Sequence, residues 1–223
     1  MLLEQLEEVE RHDFETSLQF NGLHCASFFG IVALVAALIE MGHYDINEGG
    51  FWGYTPLAWA AENGHEEVVK LLLGREEVSP VKAAQYGRAP LSVAANKGHE
   101  GVVKILLERR EVNPGQPSDG GETPLHEAAW GGHEGVAKML LGREEVDPNW
   151  PRDDNRTPLS CAADAGHEGV VKMLLERDEV YPDEPDDHGR TPLWYAELNR
   201  SEEIIQLLLE TGNVDPTQIY GYS

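Results

Sequence analysis

The sequence predicts an all-α solenoid of six helix-turn-helix repeats, and three observations carry that prediction. Thr-Pro-Leu or a close variant recurs at Thr55-Pro56-Leu57, Ala89-Pro90-Leu91, Thr123-Pro124-Leu125, Thr157-Pro158-Leu159 and Thr191-Pro192-Leu193, always 34 residues apart. Gly-His recurs in phase at Gly64-His65, Gly98-His99, Gly132-His133 and Gly166-His167. The stretches that follow read VVKLLL, VVKILL, VAKMLL and VVKMLL, each with the apolar spacing of one helix face. A degenerate copy, Asn21-Gly22-Leu23-His24-Cys25-Ala26, lies one period upstream and brings the count to six.

The stretch from Glu122 to Leu141 shows how one unit is built. Thr123 suits the cap of a helix whose first residue is Pro124, because proline's fixed φ is already helical and its missing N–H has no partner at that position. Leu125, Ala128 and Ala129 give the helix one apolar side, and Gly131-Gly132 ends it. A second helix starts near His133-Glu134, with Val136, Met139, Leu140 and Leu141 as its stripe. Helices this short are not stable alone, so each unit needs neighbours to cover its faces.

In order along the chain, residues 1–19 read as a capping helix, with Leu2, Leu3, Leu6 and Val9 at helical spacing. Repeat one (20–53) contains FFGIVALVAALIEM, nearly all apolar, as expected of helices buried between a cap and the next repeat. Repeats two to five (54–87, 88–121, 122–155, 156–189) are regular. Repeat six (190–216) has Leu198-Asn199-Arg200-Ser201 in place of Gly-His and Glu197 in place of the second alanine, which suits the polar face of a terminal unit. Residues 217–223 form a tail. The segments between repeats, such as NPGQPSDGG and DPNWPRDDN, are rich in turn-forming Pro, Gly and Asp. SPVKAAQYG in repeat two's exit lacks the acidic turn residues, so its loop is harder to place.

A strict period carrying Thr-Pro-Leu-His-x-Ala resembles the ankyrin repeat, which consists of a β-turn and two antiparallel helices. The resemblance covers about residues 20–216 and rests on five in-phase motif matches. Its wording (GRTPL, AAENGHEEVVKLLL) is similar to ankyrin arrays of filamentous fungi. It implies repeats joined by β-hairpin-like loops, and a concave binding side made of hairpin tips and first helices. Similar fungal arrays follow NTPase domains, so the resemblance also implies the sensor end of a larger receptor-like protein.

Charge and cysteines narrow the rest. With 40 acidic against 17 basic residues the formal net charge is −23, a field that repels nucleic acid and anionic membrane and favours a basic partner or simply solubility. No apolar run is long enough to span a bilayer, and the acidic start MLLEQLEEVERHDFE does not read as a secretory signal. Cys25 and Cys161 are 136 residues apart, four periods, so a bridge between them requires unfolding. Free thiols point to a reducing compartment, the cytoplasm or the nucleus.

Established catalytic and phosphate-binding motifs are missing, and four Gly-His histidines on four repeats are too dispersed to share one ion. The expectation is therefore no metal and no cofactor. Positions that vary between copies while Leu, Ala and Val stay fixed are the candidates for recognition. One such rung is Cys25, Trp59, Val93, Glu127, Cys161 and Tyr195; another holds Trp130 and Asp164; the hairpins add Trp52, Tyr54, Tyr86 and Arg88. The expected binding set is Trp52, Tyr54, Trp59, Tyr86, Arg88, Glu127, Trp130 and Tyr195, with Gly120 and Gly131 leaving room beside the aromatics. Trp150 and Trp194 read as structural. A monomer that binds a protein partner through this groove is the first functional reading. The second is a small hydrophobic molecule bound in a closed recess near Trp59, Trp130 and Glu127, or unconventional chemistry there with Glu127, His126 and Asp164 as acid-base candidates. Against chemistry, His126 and Glu127 do not share a helix face, and a histidine in Thr-Pro-Leu-His braces turns in the family it resembles.

Overall fold

The computed structural model describes residues 20–215. The expected cap at 1–19, the last residue of repeat six and the tail at 217–223 lie outside these residues. Twelve helices in six pairs are described, with no strand among the described residues. The first helices are α1 (Gly22–Phe28), α3 (Pro56–Glu62), α5 (Pro90–Asn96), α7 (Pro124–Gly131), α9 (Pro158–Ala165) and α11 (Pro192–Leu198). The second helices are α2 (Val32–Met41), α4 (Glu66–Leu73), α6 (Glu100–Leu107), α8 (Glu134–Leu141), α10 (Glu168–Leu175) and α12 (Glu202–Glu210). First helices pack on first helices and second on second, while each pair packs internally, so one apolar layer runs the length of the stack.

The caps follow from the repeated motif. Thr55, Thr123, Thr157 and Thr191 each accept a backbone N–H from three residues on, with proline next in the first helical position. Ala89 cannot, and α5 begins without a side-chain cap. Gly132 caps α7 with φ 71°, and a Cβ there would sit 2.5 Å from the His167 ring, so both backbone and space require glycine. In repeat six Arg200 takes the same left-handed conformation, with φ 56°.

The Gly-His histidines are joints between repeats. The Nε2 atoms of His65, His99, His133 and His167 meet the carbonyls of Phe28, Glu62, Asn96 and Trp130, at the end of the preceding first helix, at 2.8 to 2.9 Å. Repeat six has no histidine there. Asn199 Nδ2 donates to the Asp164 carbonyl instead, at 2.6 Å.

The hairpins repeat as well. Gly50, Ala84, Ser118, Arg152 and Asp186 each donate an N–H to the carbonyl four residues on. The segment ending in Gln85-Tyr86-Gly87 thus forms the same hairpin as its neighbours, despite its unlike sequence. Neighbouring tips are bonded in turn, Asp119 to Tyr86, Asp153 to Gly120 and Asp187 to Asp154.

Repeat one departs from expectation. Only Val35 of α2 is buried, and Phe29, Ile31, Val32, Leu34 and Met41 are exposed. The second-helix stripe that is buried elsewhere here faces the end of the described stack.

Candidate interaction site on the hairpin side

Two recesses adjoin on the side formed by the first helices and hairpins. The first, about 410 Å³, crosses repeats two to five; Tyr86, Arg88, Glu127, Trp130, Arg152 and Arg156 are among its lining residues. The second, about 710 Å³, is lined by Phe20, Phe28, Phe51, Trp52, Trp59, Glu62, Asn63, Lys97 and His99. Asn96, the last residue of α5, lines the first recess and Lys97 the second, so the two meet at one helix end.

Three of the expected aromatic residues are exposed and three are not. Trp52, Tyr86 and Trp130 are 57%, 68% and 49% exposed. Trp59, Tyr54 and Tyr195 are buried. Trp59 stands edge-on to Phe20 and Phe28 with ring centres 5.5 and 5.4 Å away, and packs with Tyr54 and Val93 in a satellite core. Only its margin reaches the second recess. The rung that carries Trp59, Val93, Cys161 and Tyr195 points along the stack into neighbouring first helices, and these four are filler rather than free surface. The expected single recess containing Trp59, Trp130 and Glu127 is corrected to two, with Trp59 in one and the other pair in the other.

Two further expectations are corrected. Gly120 and Gly131 leave no vacant room, because a Cβ would meet the Glu122 carboxylate at 2.8 Å and the His133 ring at 2.5 Å. Trp150 is exposed, whereas Trp194 is half-buried beneath the Arg190 guanidinium.

Trp52 and Tyr86 hold left-handed backbone at the hairpin tips, φ 57° and 64°, each followed by a glycine that is also left-handed. Two consecutive positive φ values are the signature of a type I′ turn, which favours Asn or Gly at both places. A bulky aromatic residue there is strained by about 1–3 kcal/mol, and such strain gathers at functional sites. The equivalent positions in the later repeats are Gly120, Asp154 and His188, none of which is paired with strain of this kind in an aromatic residue.

The first recess is built on ion pairs. Arg88 Nη2 lies 3.0 Å from Glu127 Oε1, and Asn96 donates to Glu127 Oε2 at 2.8 Å. Burial nonetheless raises the Glu127 pKa, with Arg88 and Asn96 working against it. Arg152 Nη2 lies 3.3 Å from Glu122 Oε1. Burial acts to raise Glu122, but the Ser118 hydroxyl and Arg152 outweigh it and hold it below the usual carboxylate range. Arg156 bonds Asp164 at 2.7 Å and lies over the Tyr195 ring, 4.4 Å from its centre. Burial pushes the Cys161 thiol up to about 11, so it carries no thiolate nucleophile at neutral pH.

The acid-base candidates are all engaged. His126 is buried with Nδ1 against the Thr123 N–H and hydroxyl and Nε2 3.1 Å from the Arg156 carbonyl. Burial lowers its pKa to about 4, so the ring is neutral and braces two turns, as its position in Thr-Pro-Leu-His implies. Glu127 and Asp164 are each held by an arginine and an asparagine.

One group was missed in the sequence. Asp186, its side chain fully buried, accepts from the Tyr195 hydroxyl at 2.6 Å and from Arg190 Nε at 2.7 Å. Burial acts to raise it, yet these bonds hold it at about 2. The signal was present in the chain, Asp-Asp-His-Gly-Arg-Thr-Pro-Leu, but Tyr195 reaches back to it only once α11 forms.

Among the described residues no group of three or more His, Cys, Asp or Glu could hold a metal ion, and no helix is long and apolar enough to cross a membrane. Both cysteines are free. No curated protein matches the chain. A family model for ankyrin repeats matches three times in succession, over residues 2–83, 76–150 and 144–219. With helix pairs stacked through a recurring joint and family matches over residues 2–219, the chain belongs to the ankyrin-repeat family.

Proposed function

We propose that this chain binds a protein partner on its hairpin side, across the two adjoining recesses. Ankyrin repeats generally mediate protein–protein interaction, and the observation that supports this face is the placement of Trp52, Tyr86 and Trp130. They are exposed beside two recesses while the Leu, Ala and Val scaffold is buried. Aromatic anchors beside pockets are what interface hot spots are made of. Trp52 and Tyr86 are held out on strained turns, which restricts their backbone before a partner arrives. The charge of −23 favours a partner of basic overall character and disfavours nucleic acid. A monomeric state, a cytoplasmic or nuclear location and the likeness to fungal arrays belong to this proposal.

A second reading, a small hydrophobic molecule in the aromatic recess, draws on Phe20, Phe28, Phe51 and Trp52 lining one side of it. One experiment separates the two. Wild type and a Trp52→Ala, Trp130→Ala double variant are used for affinity capture from an extract of the source cell, with eluates analysed for proteins and small molecules. The expected result is a protein lost selectively by the double variant, each alanine weakening binding by about 2 kcal/mol or more with little change in Tm. A small molecule lost instead, with no protein, replaces the first reading by the second.

A further inference from the structure

We propose that the row of hairpin tips docks a protein segment with a bulky apolar block at one end and a block of Lys and Arg at the other. The inference rests on the interaction reading above and names the partner's chemistry. It starts from what the tips carry in order. The two residues that lead each tip are Phe51-Trp52, Gln85-Tyr86, Asp119-Gly120, Asp153-Asp154 and Asp187-His188, one period apart. All five tips are closed by the same backbone bond, and Asp119, Asp153 and Asp187 each donate an N–H to a carbonyl of the tip before. From Tyr86 onward the row is therefore one edge held in register, and it passes from aromatic to acidic.

The acidity of the far end has no counter-charge. The buried and half-buried acids around these tips are spent on neighbours: Glu122 and Asp154 on Arg152, Asp164 on Arg156, and Asp186 on Arg190. Asp119, Asp153 and Asp187 are exposed, and among the described residues no ion pair reaches any of them. Asn155 Nδ2 donates to Asp187 Oδ1 at 2.7 Å, a contact that brings no charge. Three carboxylates fixed one repeat apart, with the arginines beneath them already paired, attract cations.

The near end attracts something else. Phe51, Trp52 and Tyr86 are exposed, and the rings of Phe51 and Trp52 lean together with centres 4.1 Å apart. Such a surface suits large apolar side chains. Neither end alone defines the partner, but their order does. An acidic or phosphorylated segment is repelled by the far end, and a uniformly basic one leaves the aromatic tips uncovered. From the first tip to the fifth is four repeat steps of about 8–10 Å, or about 30–40 Å, which about twelve residues of extended chain cover.

The test uses synthetic peptides of about sixteen residues, one half carrying two Phe and the other four Lys, made in both orders. Matched peptides replace the Lys with Gln or the Phe with Ser. Binding to the full chain is read by fluorescence polarisation. The expected result is that the two-block peptide binds tightest in one of its orders, and that loss of either block weakens Kd by about tenfold or more. Asp119→Asn, Asp153→Asn and Asp187→Asn together should erase the advantage of Lys over Gln. Glu168→Gln, Glu202→Gln and Glu203→Gln, at three exposed positions on α10 and α12, change the net charge equally and should leave that advantage intact. If the first triple variant melts early, Asp153→Lys alone takes its place, with a change in the same direction expected. A benzophenone in the Phe half should cross-link to the tips at residues 51–53 and 85–87. Equal effects of the two triple variants would reduce the selection to the general field of the chain, and cross-links at 119–121, 153–155 or 187–189 would place the apolar block on the wrong tips; either result overturns the inference. If no peptide binds while partner capture still depends on Trp52 and Trp130, this inference falls alone. Failure of both removes the interaction reading as well.

Discussion

His126 and Asp186 tie the stability of the array to acidity. The unfolded histidine protonates near 6.5, whereas the folded one, buried and bonded at both nitrogens, resists until about 4. Between those values the unfolded chain binds more protons, so stability is complete above about pH 6.5 and falls as pH drops towards 4. Asp186 adds a lower step. Its ordinary value of 3.8 is depressed to about 2, so its contribution is present above 3.8 and lost as pH falls through 2. Urea denaturation measured from pH 7 to pH 3 should therefore show a decline that begins below 6.5. His126→Gln, which keeps a polar side chain but cannot titrate, should flatten the upper part of that decline and leave the lower part. An unchanged slope would mean that the ring is solvated in solution. The Thr-Pro-Leu-His motif made the brace legible beforehand. The depressed carboxyl was not legible, because it depends on Tyr195 and Arg190 meeting Asp186 in space.

At the scale of one element, the joint across repeats one to five sets the glycine that ends a first helix against the histidine ring of the following repeat. Gly132 ends α7 in left-handed backbone, and the imidazole of His167 occupies the space that a Cβ would need. Gly132→Ala combines backbone strain of about 1–3 kcal/mol with a displaced ring. We expect a drop in Tm of several degrees and weaker protection of the His167 joint in hydrogen exchange. Gly142→Ala is the control. Gly142 lies in ordinary right-handed backbone, where a Cβ would come no nearer than 3.5 Å, so it should change Tm little. Helix starts, helix ends and the buried stripe were readable from spacing, because capping and a 3.6-residue period act within one unit. The fate of the variable rung was not. Trp59 is buried by Phe20 and Phe28, which lie one period upstream in the most divergent copy, and Tyr195 lies beneath Arg156, from the hairpin before it. Variation between copies marks what the scaffold tolerates, and in this array that includes residues packed between units.

Over the whole molecule the core is a layer that runs through neighbours and has no centre. Stability is then close to a sum of unit terms and interface terms, so a defect in the middle uncouples the ends. Val136 is fully buried in α8. Val136→Asp places a carboxylate in that layer at a cost of several kcal/mol. The expected outcome is a broadened or two-stage thermal transition, with repeats one to three and five to six losing hydrogen-exchange protection at different denaturant concentrations. A single transition, merely shifted, would show that the stack behaves as one cooperative body. The regular middle of the stack was legible in the sequence, since five copies of one motif state it five times. The division of the binding side into an aromatic and a charged recess was not, because it depends on which hairpin tips lean over which first helices.

The carbonyl at the end of each first helix and the donor that meets it from the next repeat have a consequence for descent. Each of repeats two to five carries both halves of its own coupling, one for the neighbour behind and one for the neighbour ahead. A tandem duplication of 34 residues therefore copies a complete connection, and a loss in the same measure removes one without leaving a loose end. Length in such a lineage can change by whole units without any new contact having to be invented. Asn199 shows that even the half supplied from ahead can be replaced, provided that some side chain still reaches the Asp164 carbonyl.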